Sequence, residues 1–293
     1  MQYINIIIYF CNMFKIGFQY ILILVFYLFI NRCNATGLLN PMGGRAAAMG
    51  WTSVCEQGLW ALWNNPAGLA DMHGWHCGLY YENRWMLKET AYKGGGLTKA
   101  FDGIGCFGLS VSQFGWSGQS ENLLGLAYTR SFGPYLAMGL RADCWWLHLG
   151  EGYPDRVEPT FMLGIQSQVT EKLRLGATLF NPMIVRWHTL NEDALPVVVR
   201  FGCAYRFTDG FMGQCEVGKN SLTHGVSLGG GFEYILFGRF QIRAGAHYNP
   251  NLITFGAGYH LKGLQVDVAA QMSQALGYSV QIGLEYRFPT KEN

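Results

Sequence analysis

Residues 276–288 read LGYSVQIGLEYRF. Leu276, Tyr278, Val280, Ile282, Leu284, Tyr286 and Phe288 share one phase of a two-residue period, and Gly277, Ser279, Gln281, Gly283, Glu285 and Arg287 share the other. A β-strand sends successive side chains to opposite faces, so this stretch reads as a strand with one apolar face and one small or polar face. The pattern recurs upstream. Leu264, Val266, Val268, Ala270 and Met272 stand against Gln265, Asp267, Ala269 and Gln271. Phe240, Ile242, Ala244, Ala246 and Tyr248 stand against Gln241, Arg243, Gly245 and His247, and Val197, Val199, Phe201, Cys203, Tyr205 and Phe207 against Val198, Arg200, Gly202, Ala204 and Arg206.

The breaks between these segments alternate in length. Tight ones fall at Phe101-Asp102-Gly103, Phe132-Gly133-Pro134, Thr170-Glu171-Lys172, Thr208-Asp209-Gly210, Phe237-Gly238 and Lys262-Gly263, where Gly-containing pairs favour hairpin turns. Mostly longer ones lie between them, at 83–87, 116–120, 150–156, 182–193, 219–223, 249–251 and 273–275. The count is about 14 strands between Trp75 and Phe288, with the parity of a transmembrane β-barrel: short periplasmic turns, longer extracellular loops and an even strand number.

Composition agrees. Charged residues make up 14% of the 293 residues, against about 25% in soluble proteins, while aromatics reach 15%. The net charge of +2 lacks the basic footprint of a nucleic-acid binder, and an apolar half of the chain excludes disorder. A soluble all-β fold would fill its polar faces with Lys, Glu and Asp. These faces carry Gly, Ser, Gln and isolated charges, as a lumen would, and strand ends such as Trp145-Trp146 and Tyr286 with Phe288 supply interfacial aromatics.

Residues 1–35 read as a secretory signal peptide: Lys15, an apolar run from Tyr20 to Ile30, then Cys33-Asn34-Ala35 as a cleavage end. Met13 offers the leader a better charged start and stands as an alternative initiator. A transmembrane anchor is the competing reading, and a lipoprotein through Cys33 is disfavoured by the bulky Arg32. The expected organisation is therefore leader 1–35, N-terminal segment 36–74, barrel 75–288 and tail 289–293, placed in the outer membrane of a Gram-negative bacterium.

The segment before the barrel, Gly43 to Ala70, reads GGRAAAMGWTSVCEQGLWALWNNPAGLA. It resembles the N-terminal signature of the PorV/PorQ type of outer-membrane barrel, within the FadL-like superfamily. The matching residues are Gly44, Arg45, Ala46, Ala47, Met49 and Gly50, then Asn65, Pro66, Ala67, Gly68 and Leu69. Glu56-Gln57-Gly58 departs from an acidic pair usual there. The resemblance implies a 14-stranded barrel whose pre-barrel segment, helical or irregular, folds inward to line or plug the lumen. Leu59, Trp60, Leu62 and Trp63 need apolar partners, and Pro66 biases Asn65 toward extended backbone. A simple seal and a gate look alike at this level.

No catalytic constellation appears. The seven His form no HExxH and no ligand-spaced pair, and there is no GxSxG. GQCEVGKNS at 213–221 approaches a phosphate loop, but Asn220 follows the Lys and the segment alternates like a strand. Neither an enzyme nor a cofactor or metal site is expected. Past the leader the cysteines are Cys55, Cys77, Cys106, Cys144, Cys203 and Cys215; their scatter over different strands argues against an obligatory disulfide, and Cys144 and Cys203 fall on apolar faces.

Arg141, Asp143, Arg200, Arg206, Glu233, Arg243, Asp267, Glu285 and Arg287 all lie opposite apolar rows. An Arg facing lipid at mid-depth costs roughly 2–4 kcal/mol, so these charges are expected to face the lumen. They would form either a polar path or, the favoured reading, a structural network. The resemblance implies an accessory or anchoring role in a type IX-like protein secretion system, with secretion-system proteins and outer-membrane lipid as partners. The alternative is FadL-like passage of small hydrophobic molecules. Against it, connections average only about 5 residues, leaving little for large ligand-capturing loops.

Overall fold

The computed structural model describes residues 38–150, 152–185 and 195–289. The leader with its Met13 start, the tail beyond residue 289 and part of the 182–193 connection lie outside the described residues.

The described chain builds a closed antiparallel barrel. Its strands are β1 Trp75–Asn83, β2 Ala91–Phe101, β3 Gly105–Trp116, β4 Gln119–Phe132, β5 Leu136–His148, β6 Arg156–Gln168 and β7 Leu173–Phe180 in the first half. The second half is β8 Val198–Thr208, β9 Phe211–Asn220, β10 Ser227–Leu236, β11 Phe240–Tyr248, β12 Leu252–Leu261, β13 Leu264–Ser273 and β14 Gly277–Arg287. Each strand pairs with its sequence neighbours, and β1 closes on β14 with Leu79 opposite Leu284. The expected 14-stranded transmembrane architecture is the observed one.

The alternation has the expected hand. On β14, Tyr278, Val280, Ile282 and Leu284 lie exposed on the outer wall, while Ser279 and Gln281 are buried inside. An outer surface of Leu79, Leu126, Leu140, Phe255 and Ile282 is stable only against lipid. Near the short-turn mouth it ends in aromatic contacts, with Phe107–Tyr128 ring centroids 4.9 Å apart and Tyr286–Phe288 also 4.9 Å. Two expectations need correction. Trp145 and Trp146 cannot both join such a belt, because adjacent strand residues face opposite ways: Trp146 is exposed and Trp145 is buried inside. The far connections are also less uniform than expected, since Ser117-Gly118 alone joins β3 to β4.

β7 is short. Its pairing with β6 runs from Met162 opposite Phe180 to Gln168 opposite Arg174, so residues 156–161 of β6 have no β7 partner. Pro159, which has no N–H to offer, stands in this stretch. The chain after β7 fills the notch through Asn181. Its backbone N–H donates to Phe161 O at 2.9 Å, its Oδ1 accepts from Val185 N at 3.0 Å, and its Nδ2 donates to Leu195 O at 3.0 Å.

The N-terminal segment lies inside the barrel. It contains two one-turn helices, α1 Gly44–Ala48 and α2 Ala61–Asn64, and a 3-10 turn at Pro66–Leu69. Between the helices Gly58 holds φ +96, a left-handed conformation that keeps any longer helix from forming.

Candidate functional site

Glycine makes room for the insert. A Cβ on Gly245 would lie 2.3 Å from Gly50 N and 2.5 Å from Met49 C, and one on Gly231 2.6 Å from Met49 Cα. At the other wall, a Cβ on Gly164 would sit 2.1 Å from Asn65 Oδ1, and one on Gly139 2.6 Å from Ala67 N. These distances are far inside van der Waals contact, so the small inward rows read in the sequence are a seat cut to the shape of this segment.

The matched motif residues hold the segment's own fold. α1 ends at Gly50, φ +69, whose N–H donates to Thr254 Oγ1 at 2.9 Å; the same hydroxyl donates to Ala48 O at 2.9 Å. Ala46, Ala47 and Met49 are buried. Asn65 is extended, at φ −155, as a residue before proline prefers, and its Oδ1 accepts from Ala67 N at 3.2 Å. Its Nδ2 donates to Val54 O at 2.7 Å and to Ile165 O at 3.2 Å on the wall. Pro66 opens the 3-10 turn, where its missing N–H costs nothing, and its carbonyl accepts from Thr129 Oγ1 at 2.5 Å. Ala67 is buried in this turn, and Gly68 passes so near Glu56 that a Cβ would meet Glu56 O at 2.1 Å.

Charge ties the insert to β10–β13. Arg45 donates from Nε to Glu233 at 2.9 Å and from Nη2 at 3.1 Å, a two-point grip. Glu233 also accepts from Arg243 Nε at 2.6 Å, and Arg243 bonds Asp267 in turn. Glu56 ends the chain, 4.0 Å from Arg45 and accepting from Asn64 Nδ2 at 3.0 Å. Burial pushes the Glu56 carboxyl up to about 8, against the opposing pull of Arg45 and of the Asn64 bond. Elsewhere, Glu216 accepts from Ser53 N at 2.7 Å and Val54 N at 2.8 Å, while Arg200 donates to Ser53 Oγ and to Asn64 O, each at 3.1 Å. Arg141 is fixed by Asp143 at 2.7 Å and donates to Leu62 O at 2.8 Å.

Of the nine charges expected in the lumen, Arg141, Asp143, Arg200, Glu233, Arg243 and Asp267 lie within it, and Arg141, Arg200 and Glu233 bond the insert directly. Glu285 is half-buried, 3.1 Å from the His76 ring. Arg206 and Arg287 need correction. Arg287 ends β14 and Arg206 lies two residues before the end of β8, both exposed at the short-turn mouth, because strand phase sets the side of a residue but not its depth. Glu82 and Arg84, 2.9 Å apart, with Gln271 on Glu82 at 3.1 Å, escaped the sequence reading. Arg84 belongs to an irregular turn whose next residue, Trp85, has φ +54, so no periodicity marked it. Glu216 lay in the period-two pattern of β9 and was there to be found.

The inward aromatics gather on one half of the wall. Among the described residues its buried inward aromatics, Tyr80, Tyr92, Trp145 and Phe180, all belong to β1–β7. They pack with Trp60, Leu62, Trp63 and Met42 of the insert; Trp60 lies 5.9 Å from Tyr80 between ring centroids. The Arg45–Glu233–Arg243 chain stands on β10 and β11, while Arg141 with Asp143 on β5 and Glu82 with Arg84 lie among the aromatics' own strands. The indole N–H groups of Trp60 and Trp63 are buried with no acceptor among the described residues. Among the same residues no cluster of three His, Cys, Asp or Glu could hold a metal.

No family model and no curated protein match this chain. Solved structures do. The CymD monoaromatic hydrocarbon channel matches with TM-score 0.63 at 16% identity, over 88% of this chain and 100% of its own. The Pseudomonas putida toluene transporter TodX matches with TM-score 0.60 at 14% identity, over 85% and 98%. A Pseudomonas aeruginosa FadL homologue matches with TM-score 0.65 at 12% identity, over 87% and 100%. Likeness at these identities is likeness of fold: this chain shares the barrel fold of these three proteins.

Proposed function

We propose that this chain passes small hydrophobic molecules across the outer membrane of a Gram-negative bacterium, with residues 38–72 as a plug that must shift for passage. The observation that carries this reading is the aromatic core packed jointly by β1–β7 and the plug. A path for ions would not be lined with Tyr80, Tyr92, Trp145 and Phe180. The titles of the structural neighbours, a hydrocarbon channel and a toluene transporter, point the same way. Their being channels and transporters fits a chain that is not an enzyme.

Membership of the PorV/PorQ type, and with it an accessory or anchoring role toward secretion-system proteins, rests on the motif at Gly44–Gly50 and Asn65–Leu69. Those residues are fully occupied in folding and seating the plug, so the motif alone does not separate a secretion barrel from a transport barrel.

The test is uptake of a radiolabelled monoaromatic hydrocarbon by cells of a Gram-negative host expressing the chain, compared with an empty vector. The lipopolysaccharide leaflet slows such solutes, so a channel becomes visible. The expected result is faster uptake of the hydrocarbon and no change for a sugar of similar size. Uptake equal to the empty vector, with the barrel present in the outer membrane, refutes transport.

A further inference from the structure

Cys203 on β8 and Cys215 on β9 are register partners, directly opposite across one antiparallel hairpin. Their sulfur atoms lie 3.2 Å apart. Both belong to the outer wall: Cys203 follows Phe201 in the outward phase of β8, and Cys215 precedes Val217 in that of β9. Opposed residues of an antiparallel pair have Cα atoms about 4.5–5.5 Å apart, within the span a disulfide bridges. The two are also the nearest cysteines in sequence after residue 35, separated by 12 positions, so closing that loop costs less chain entropy than any other pairing.

We propose that Cys203 and Cys215 form a disulfide during export, and that the mature barrel carries it across the β8–β9 hairpin. The outer wall favours large apolar side chains, and two small thiols facing each other cover little lipid. Joined, they clamp the register of a hairpin that carries a bulge between Arg206 and Thr208, only a few residues away. The oxidant is a periplasmic protein of the thiol–disulfide oxidoreductase class in its oxidised form. One cysteine thiolate attacks its disulfide to give a mixed disulfide and a first thiol on the oxidant. The second cysteine thiolate then attacks the mixed disulfide, joins the two sulfurs and releases the second thiol. Two electrons and two protons pass to the oxidant, and the barrel chain loses two hydrogens. All six cysteines of the described residues are free thiols in the structure, and Cys203 with Cys215 is the pair whose sulfurs are in contact.

The inference rests on the outer-membrane reading, because only an exported chain meets this oxidant. Cells are therefore quenched in acid, their outer membranes isolated, and the protein dissolved in denaturing detergent. It is then treated with a maleimide-polyethylene glycol reagent, before or after reduction. The expected result is four additions without reduction and six with it, from the six cysteines after residue 35, and a linked Cys203–Cys215 peptide by mass spectrometry. Cys203→Ser frees Cys215 and gives five additions in either condition. The readout is made on denatured protein, so it holds even if a variant folds poorly. Cys203 and Cys215 both alkylated without reduction, in wild-type chains recovered from the outer membrane, would overturn the disulfide. A chain absent from that membrane fails the localisation instead, and the two failures are told apart by the fractionation.

Discussion

Replacing Arg45 by Met keeps the length of the side chain and removes its charge. Glu233 loses a two-point partner and keeps Arg243, which already serves Asp267, so two carboxylates are left on one guanidinium. Breaking a buried pair costs about 3–5 kcal/mol when the survivor is left bare. Arg243 remains here, so the expected loss is about 2–3 kcal/mol, or roughly 30- to 150-fold in the equilibrium between seated and displaced plug. The assay is conductance in planar bilayers, normalised to inserted barrels. Heat-modifiable gel migration checks that the barrel itself has folded. Arg45→Met should conduct far more often than wild type. Arg45→Met combined with Glu233→Gln removes one charge of each sign and leaves Arg243 with Asp267 as a balanced pair, so it should recover much of the loss. Conductance of Arg45→Met equal to wild type, in a folded barrel, would refute an ionic grip. A double variant no tighter than the single one would assign the effect to packing instead.

Gly245→Val should leave β11 in the barrel and unseat the plug, since its first carbon would already lie 2.3 Å from Gly50 N; overpacking of this kind costs about 1–3 kcal/mol. Ala244→Val, one residue away on the outer wall, should conduct like wild type, and equal conductance of the two variants would show that the plug does not lie against this strand. Plug seating should also weaken with alkali: the seated Glu56 carboxyl titrates near 8, above the ordinary range, so the seated state favours its proton. Seating is firmest below the ordinary carboxylate pKa and is progressively lost as pH rises toward 8; conductance should climb over that window in wild type and stay flat in Glu56→Gln, and identical profiles would contradict it.

Periodicity alone was enough to read the barrel and the side of its wall to which a strand residue points. A period of two is a local property of the backbone, so the apolar row of Leu276–Phe288 and the inward place of Arg141, Glu233 and Arg243 could be read from neighbours alone. The N-terminal signature likewise marked a segment that needs an enclosing wall, because Trp60 and Trp63 have no local partners. Depth and pairing were a different matter. Arg206 and Arg287 keep the correct phase but stand in water at a mouth, and only the stagger of fourteen strands decides that. Arg45 meets Glu233 across 188 positions, and Glu216 receives the backbone of Ser53 from 163 positions away. Contacts at such separations are fixed by closure of the barrel, not by the residues beside them. The same closure gathers Tyr80, Tyr92, Trp145 and Phe180 around the plug. Each of these residues looked ordinary in its own strand, and its chemistry arises only when distant strands share one wall.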